Sequence, residues 1–110
     1  ILIRGNHDVD LKNPCLNKLE VYDRYIVQSA ELVHDPKSAT KNSYVSGHVH
    51  PYLKFRSQQE SVRMPIFWCS NQTLILPAFG LFTGGKNIEL SYGEVAYAIL
   101  PDGSNIIKIS

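Results

Sequence analysis

The sequence is poor in cysteine, in net charge and in long apolar runs. It has 2 cysteines in 110 residues, and 11 basic side chains nearly balance 10 acidic ones. Two cysteines outside any Cys-x-x-Cys pair exclude a disulfide framework and predict reduced thiols, which fits a cytoplasmic protein. A net charge of +1 argues against holding nucleic acid by broad electrostatic attraction. No apolar run approaches the roughly 20 residues that span a bilayer, so we expect no membrane partner.

The start of the chain has neither a methionine nor a targeting segment, and it opens on the apolar residues 1–3. This run is typical of an internal β-strand, so we expect the natural protein to have further chain upstream. Residues 1–110 are then the C-terminal portion of a single domain. An apolar strand without its upstream neighbours would have an exposed edge, which predicts self-association through the N-terminal strand.

The hydrophobic content of 44% is that of a globular protein, and its distribution predicts an α/β or α+β fold. Asn13-Pro14 is typical of a helix start, and apolar residues follow at three- and four-residue spacing from 16 to 26. We therefore expect one main helix that ends near Gln28. We also expect about six short strands, drawn from the candidate segments 1–3, 32–33, 44–45, 63–69, 73–76, 95–100 and 105–109.

All four histidines follow the ends of apolar runs: His7, His34, His48 and His50. If these strands lie side by side, their ends converge where ligands bind in sheet proteins. Neutral imidazole binds Mn, Fe, Co, Ni or Zn. His48 and His50 would share one face of an extended strand, whereas in a turn they could reach two neighbouring metals. A structural zinc site is disfavoured, because such sites usually include thiolates and neither cysteine lies near these clusters.

Two tetrapeptides carry a family resemblance. Gly-Asn-His-Asp at 5–8 and Gly-His-Val-His at 47–50, with His34 between them, resemble signature motifs of the calcineurin-like metallophosphoesterases. Asp35-Pro36, Pro51 and residues 76–85 resemble one branch of them, the predicted phosphoesterases or ligase-associated DNA damage response endonucleases. The resemblance implies a β-sandwich flanked by helices, of which this chain would be the C-terminal part.

The resemblance implies two divalent metal ions, with Mn favoured and Fe, Co, Ni or Zn as alternatives. Asn6, His34 and His48 would bind the second metal, and His50 would bind the first. Such a pair activates a water molecule for hydrolysis of a phosphodiester or phosphomonoester. Nucleic acid is a candidate substrate only through the branch name.

The resemblance also implies catalytic roles outside the metal ligands. His7 would face the substrate phosphate as a proton donor, and Asp8 would orient the loop or a histidine. Arg4 is a candidate phosphate clamp, since guanidinium matches phosphate geometry, although a solvated strand-end charge is the simpler interpretation.

The family's Asp-x-His and Gly-Asp motifs are missing from this sequence. They normally supply an aspartate and a histidine to the first metal, together with the aspartate that bridges both metals. Without them the first metal would keep only His50, so we expect the isolated chain to lack a complete centre and to be inactive. The alternative is a non-catalytic scaffold or protein-binding module with the same fold.

Overall fold

A computed structural model describes residues 1–6, 19–80 and 84–110, and these residues are dominated by β-structure. Their helical content is a single 3₁₀ turn, Pro36–Ser38. The described residues form eleven strands: β1 Leu2–Ile3, β2 Val21–Tyr22, β3 Arg24–Val27, β4 Ala30–Val33, β5 Tyr44–Ser46, β6 Pro51–Arg56, β7 Ser61–Ser70, β8 Thr73–Ile75, β9 Lys86–Asn87, β10 Glu94–Ile99 and β11 Ile106–Ile109.

The prediction of an α/β or α+β fold with one main helix is wrong, because the second half of the expected helix is β2 and β3. Residues 21–27 contain valine, isoleucine and tyrosine, which favour strands and also fall by chance at helical spacing. Pairing with β4 decides the outcome, through a two-residue loop whose first residue, Gln28, has φ 56°. Residues 7–18, which hold the expected helix start, lie outside the described residues.

Nine strands form one connected sheet, and β1 and β2 form a separate parallel pair. The main path runs β11-β10-β7-β8-β5-β4-β3, with β6 and β9 attached through β7. At its centre, β4, β5 and β8 run parallel, so that all three end at the same edge. That edge carries the residues that follow β4 and β5.

The longest strand, β7, joins two parts of the structure. Its first half pairs with β6, and its second half pairs with β10 and β8. The buried cluster beside it consists of Met64, Ile66, Ile88, Ala96 and Ala98. Its residues come from β7, from β10 and from the segment after β9, so apolar burial holds these parts of the chain together.

The expected strands are present in the described residues, and the expected hairpin at residues 101–104 joins β10 to β11. The sequence analysis missed four strands: β2, β3, β6 and β9. Cys69 is a free, half-buried thiol on β7, as expected, whereas Cys15 lies outside the described residues. Among the described helical segments, none has the length and apolar character needed to cross a membrane. Self-association through β1 stays a prediction.

A buried carboxylate closes the loop between β4 and β5. Glu31 on β4 is 0% exposed. Its carboxylate accepts hydrogen bonds from the backbone N–H groups of Thr40 (2.6 Å) and Lys41 (3.2 Å), from the Thr40 hydroxyl (3.0 Å) and from the Arg24 guanidinium (3.0 Å). These donors, first of all the Thr40 N–H, hold the pKa of Glu31 below its ordinary value of 4.5.

We expect Glu31→Gln to lower the midpoint of thermal unfolding by about 5 °C or more at pH 7, because a neutral amide cannot accept all these hydrogen bonds. A depressed folded-state pKa stabilises the protein above the unfolded-state value and loses that effect as the pH falls through the folded-state value. The stability of the unsubstituted protein should therefore fall as the pH is lowered below 4.5, and Glu31→Gln should show a smaller fall.

Calorimetric scans at pH 7 and pH 3 test this expectation. Glu89→Gln is the matched control, since Glu89 is exposed, and it should keep the pH dependence of the unsubstituted protein. Equal slopes for both variants would refute the assignment.

Candidate functional site

Two parallel strands bring two of the four histidines to one edge of the sheet. Val33 at the end of β4 pairs in register with Ser46 at the end of β5. His34 and Gly47 follow directly, and the Gly47 N–H donates to the His34 carbonyl at 3.0 Å. The strand ends therefore converge as the sequence predicts, because parallel neighbours present their carboxyl ends at a common edge.

The third contributor arrives from the small parallel pair. After β1 the chain is held by the Arg4 N–H, which donates to the Tyr22 carbonyl at 2.8 Å. The Asn6 side chain then reaches His34, with its Oδ1 2.8 Å from His34 Nε2. On the other side, His34 Nε2 lies 3.0 Å from His48 Nδ1. Asn6, His34 and His48 form what we call the imidazole cluster.

His34 Nε2 lies between two polar side-chain atoms in the imidazole cluster. A ring nitrogen carries one N–H or one lone pair, so it makes one well-aligned hydrogen bond. His34 Nε2 nevertheless faces two polar atoms, at 2.8 and 3.0 Å. Two ligand atoms, each about 2.1 Å from one ion and at right angles, are about 3.0 Å apart. The spacing therefore matches donor atoms arranged around a single metal ion.

The donor set of the imidazole cluster is two histidines and one amide. Within residues 1–6, 19–80 and 84–110, no three His, Cys, Asp or Glu side chains group closely enough to hold a metal ion. The third donor is instead the amide oxygen of Asn6, a neutral and harder ligand than a thiolate. Such a mixed N and O set suits Mn, Fe, Co, Ni or Zn.

His48 has an aspartate on the side of its ring away from the imidazole cluster. Asp35 Oδ2 lies 3.6 Å from His48 Nε2, while Asp35 Oδ1 accepts from the Lys37 N–H at 2.9 Å as the cap of the 3₁₀ turn. A carboxylate near Nε2 favours a proton on that nitrogen and leaves the Nδ1 lone pair facing His34. The ring is thus oriented to present Nδ1 as a ligand.

The backbone at residues 47–50 is a strained turn rather than an extended strand. The Val49 N–H donates to the Gly47 carbonyl at 2.8 Å, which makes a γ-turn centred on His48. His48 has φ 70° and His50 has φ 53°, in a region that costs a residue with a Cβ about 1–2 kcal/mol. Of the two arrangements weighed for this pair, the structure adopts the turn.

His50 stands apart from the imidazole cluster among the described contacts. Its Nδ1 lies 3.3 Å from the Gly84 carbonyl. A carbonyl only accepts, so this contact places the proton on Nδ1 and leaves Nε2 with a lone pair, as in many metal-ligating histidines. The structure therefore brings three of the four predicted metal ligands together and places the fourth beside a different loop.

Two glycines allow close approach at these histidines. A Cβ on Gly5 would lie 2.8 Å from the His34 ring, and a Cβ on Gly85 would clash with the His50 carbonyl. By contrast, a Cβ on Gly47 would meet only ordinary contact, at 3.9 Å. The sequence analysis missed the roles of Gly85 and of Asp35, although both residues lie inside the segments that carry the family resemblance.

Of the residues with predicted catalytic roles outside the metal ligands, the structure describes Arg4. His7 and Asp8 lie outside the described residues. Arg4 is exposed, and its Nε lies 4.0 Å from the carboxylate of Asp23, which is still more exposed. An exposed pair at this distance contributes little stability, so it does not fix the Arg4 guanidinium in place.

Comparison with known proteins finds similarity among solved structures. No family model matches the chain, and no curated protein matches it. A solved structure, the crystal structure of Pseudomonas putida nuclease MPE, matches with a TM-score of 0.77 and 31% sequence identity. The match covers 98% of this chain and 52% of the nuclease chain, so the chain spans about half the length of that structure. The fold of this chain is therefore similar to that part of the nuclease.

Gly5→Ala should displace the His34 ring, because the added methyl group would meet it at a distance that no side chain tolerates. Overpacking of this kind typically costs about 1–3 kcal/mol. We expect a lower unfolding midpoint and shifted His34 and His48 ring signals in ¹H–¹⁵N spectra. Gly47→Ala is the matched control and should change neither measurement by much. If Gly5→Ala left the ring signals in place, the tight packing would be contradicted.

Proposed function

We propose that this chain carries part of the active site of a metal-dependent phosphoesterase of the calcineurin-like superfamily. In this proposal Asn6, His34 and His48 hold one divalent metal ion, and His50 contributes to a second. The substrate is a phosphate ester, and a phosphodiester in nucleic acid is the form that the nuclease similarity favours. Mn is the metal that we test first.

The observation that carries the proposal is that Asn6 Oδ1 and His48 Nδ1 lie 2.8 and 3.0 Å from the same atom, His34 Nε2. The Asn6 Oδ1, His34 Nε2 and His48 Nδ1 atoms come from three separate segments of the chain. Their assembly requires a close approach at Gly5 and a strained backbone at His48. Strain of this kind is concentrated at functional sites, where the surrounding structure over-determines it.

Two bound divalent cations would supply the chemistry of hydrolysis, since they lower the pKa of a water molecule and offset charge on phosphate oxygens. The chain's own residues would hold the cations and present the ester. The Arg4 guanidinium, exposed directly before Gly5, could donate to phosphate oxygens. His7 is proposed to protonate the leaving oxygen, a role typically worth about 100- to 10,000-fold in rate.

The first test is equilibrium Mn²⁺ binding, measured by calorimetry without substrate. We expect Asn6→Ala to weaken binding at least about 10-fold, because it removes one ligand atom from the imidazole cluster. Asn42→Ala is the matched control, since Asn42 is an exposed amide in the β4–β5 loop, and it should bind Mn²⁺ as the unsubstituted protein does. Equal affinities for both variants would remove Asn6 from the metal site.

Hydrolysis is the second part of this test. The protein at its full encoded length is assayed with bis(p-nitrophenyl) phosphate and p-nitrophenyl phosphate, with Mn²⁺ or with EDTA. Metal-dependent turnover that His48→Ala abolishes would support the enzyme, and the ratio of the two rates would give its ester preference. Mn²⁺ binding without turnover of either ester would contradict the enzyme and favour a non-catalytic scaffold.

Asp35 should act as a positioning residue for His48. In Asp35→Asn the amide can keep the cap to the Lys37 N–H through its oxygen, but it then turns an NH₂ group toward His48 Nε2. We expect the His48 tautomer to change in ¹⁵N spectra and Mn²⁺ affinity to fall about 10- to 100-fold. The unfolding midpoint should change little, because the turn hydrogen bond at 2.9 Å is retained.

Asp102→Asn is the control for Asp35→Asn. Asp102 makes an equivalent turn, in which Oδ1 accepts from the Ser104 N–H at 2.9 Å, but it lies in the β10–β11 hairpin. Mn²⁺ affinity should be unchanged in this variant. A loss of affinity that merely followed a loss of folding in Asp35→Asn would count against a positioning role.

A further inference from the structure

A cavity opens beside His50, away from the imidazole cluster. Its volume of about 370 Å³ lies in the range of small-ligand sites. Besides His50, its walls include Tyr52 on β6, Arg63 and Pro65 on β7, and Pro101 in the β10–β11 turn. We call it the His50 pocket. Since His50 is a proposed metal ligand and also lines this cavity, the cavity adjoins the place where a substrate phosphate would bind.

One wall of the His50 pocket is a stacked pair of flat groups. The guanidinium carbon of Arg63 lies 3.8 Å from the centre of the Tyr52 ring. Strand register explains the stack, because Tyr52 pairs with Pro65 and Arg63 lies two residues away on the same face of β7. Gly85 packs against the Tyr52 ring, where an added Cβ would lie 3.1 Å from Cδ1. The Tyr52–Arg63 stack is therefore a positioned feature of the fold.

The remaining walls suit an apolar group attached to an anion. Pro65, Leu100 and Pro101 contribute aliphatic surface, and Arg63 contributes a positive charge. No acidic side chain occurs among the described residues that line the pocket. A planar aromatic heterocycle could add a further layer to the stack, since bases stack on both aromatic rings and guanidinium planes.

We infer that the His50 pocket binds a nucleobase whose nucleotide phosphate lies at His50. The inference rests on the proposed function, because it takes His50 as the neighbour of the reacting phosphate. It goes beyond that proposal by assigning a substrate-recognition role to Tyr52 and Arg63. The stack would hold one base in a sequence-tolerant way, since every base has a planar face.

The test compares two ligands that share a phosphate and a sugar and differ only in the base. AMP and ribose 5-phosphate are titrated into the protein by calorimetry, with EDTA present so that no metal contributes. We expect AMP to bind about 10-fold more tightly, within the range expected for stacking one base. Equal affinities would overturn the inference.

Two variants locate the base. Arg63→Lys keeps the charge and removes the planar face, so it should remove most of the preference for AMP and leave ribose 5-phosphate binding unchanged. Arg56→Lys, at the exposed end of β6, is the matched control and should keep the preference. Tyr52→Leu should act as Arg63→Lys does, and Arg63→Lys decides the matter if Tyr52→Leu does not fold. An undiminished preference in Arg63→Lys would overturn the assignment of the stack.

The two proposals fail separately in these experiments. A base preference that depends on Arg63, found in a protein that neither binds Mn²⁺ nor hydrolyses esters, would refute the phosphoesterase and retain the pocket as a nucleotide site. Mn²⁺-dependent hydrolysis without any base preference would refute the pocket and retain the phosphoesterase.

Discussion

The imidazole cluster depends on the buried carboxylate of Glu31. Residues 35–43 connect β4, which ends before His34, to β5, which ends before Gly47 and His48. A loop of that length on the surface would leave its backbone polar groups to water. Here the Glu31 carboxylate accepts hydrogen bonds from two backbone N–H groups of this loop, those of Thr40 and Lys41. Because the loop is closed at its base, Asp35 stays beside His48, and the two strand ends stay in register.

Hydrogen bonds between the parallel strands explain how the protein tolerates backbone strain at residues 47–50. A γ-turn with positive φ at His48 would relax in an isolated peptide. Here both flanks are held: the Gly47 N–H donates to the His34 carbonyl at 3.0 Å, and the Leu76 N–H donates to the Ser46 carbonyl at 2.7 Å. The parallel strands β4, β5 and β8 thus supply the hydrogen bonds that offset an unfavourable backbone. The turn directs His48 and His50 to different surroundings.

How far the sequence predicts this protein differs between the site and the fold. The convergence of His34 and His48 follows from apolar runs that end in polar residues, and it is found. The helix was wrong because residues 21–27 satisfy helical and strand patterns at once, and only pairing with β4 separates them. The strand β6 was missed because Pro51 and the charged Lys54 and Arg56 hide a strand that pairs on both sides. Long-range pairing of this kind has no local signal.

The imidazole cluster and the His50 pocket are separate because the chain turns at residues 47–50, between them. His48 belongs to the imidazole cluster, His50 contacts the Gly84 carbonyl, and Tyr52 stacks against Arg63. These three side chains lie within five consecutive residues, so one short segment sets the distance from the proposed metal site to the proposed base site. A shift in this segment would move both sites together. Gly85 packs against the His50 carbonyl and the Tyr52 ring. This packing restrains the segment and so helps to fix the distance between the two proposed sites.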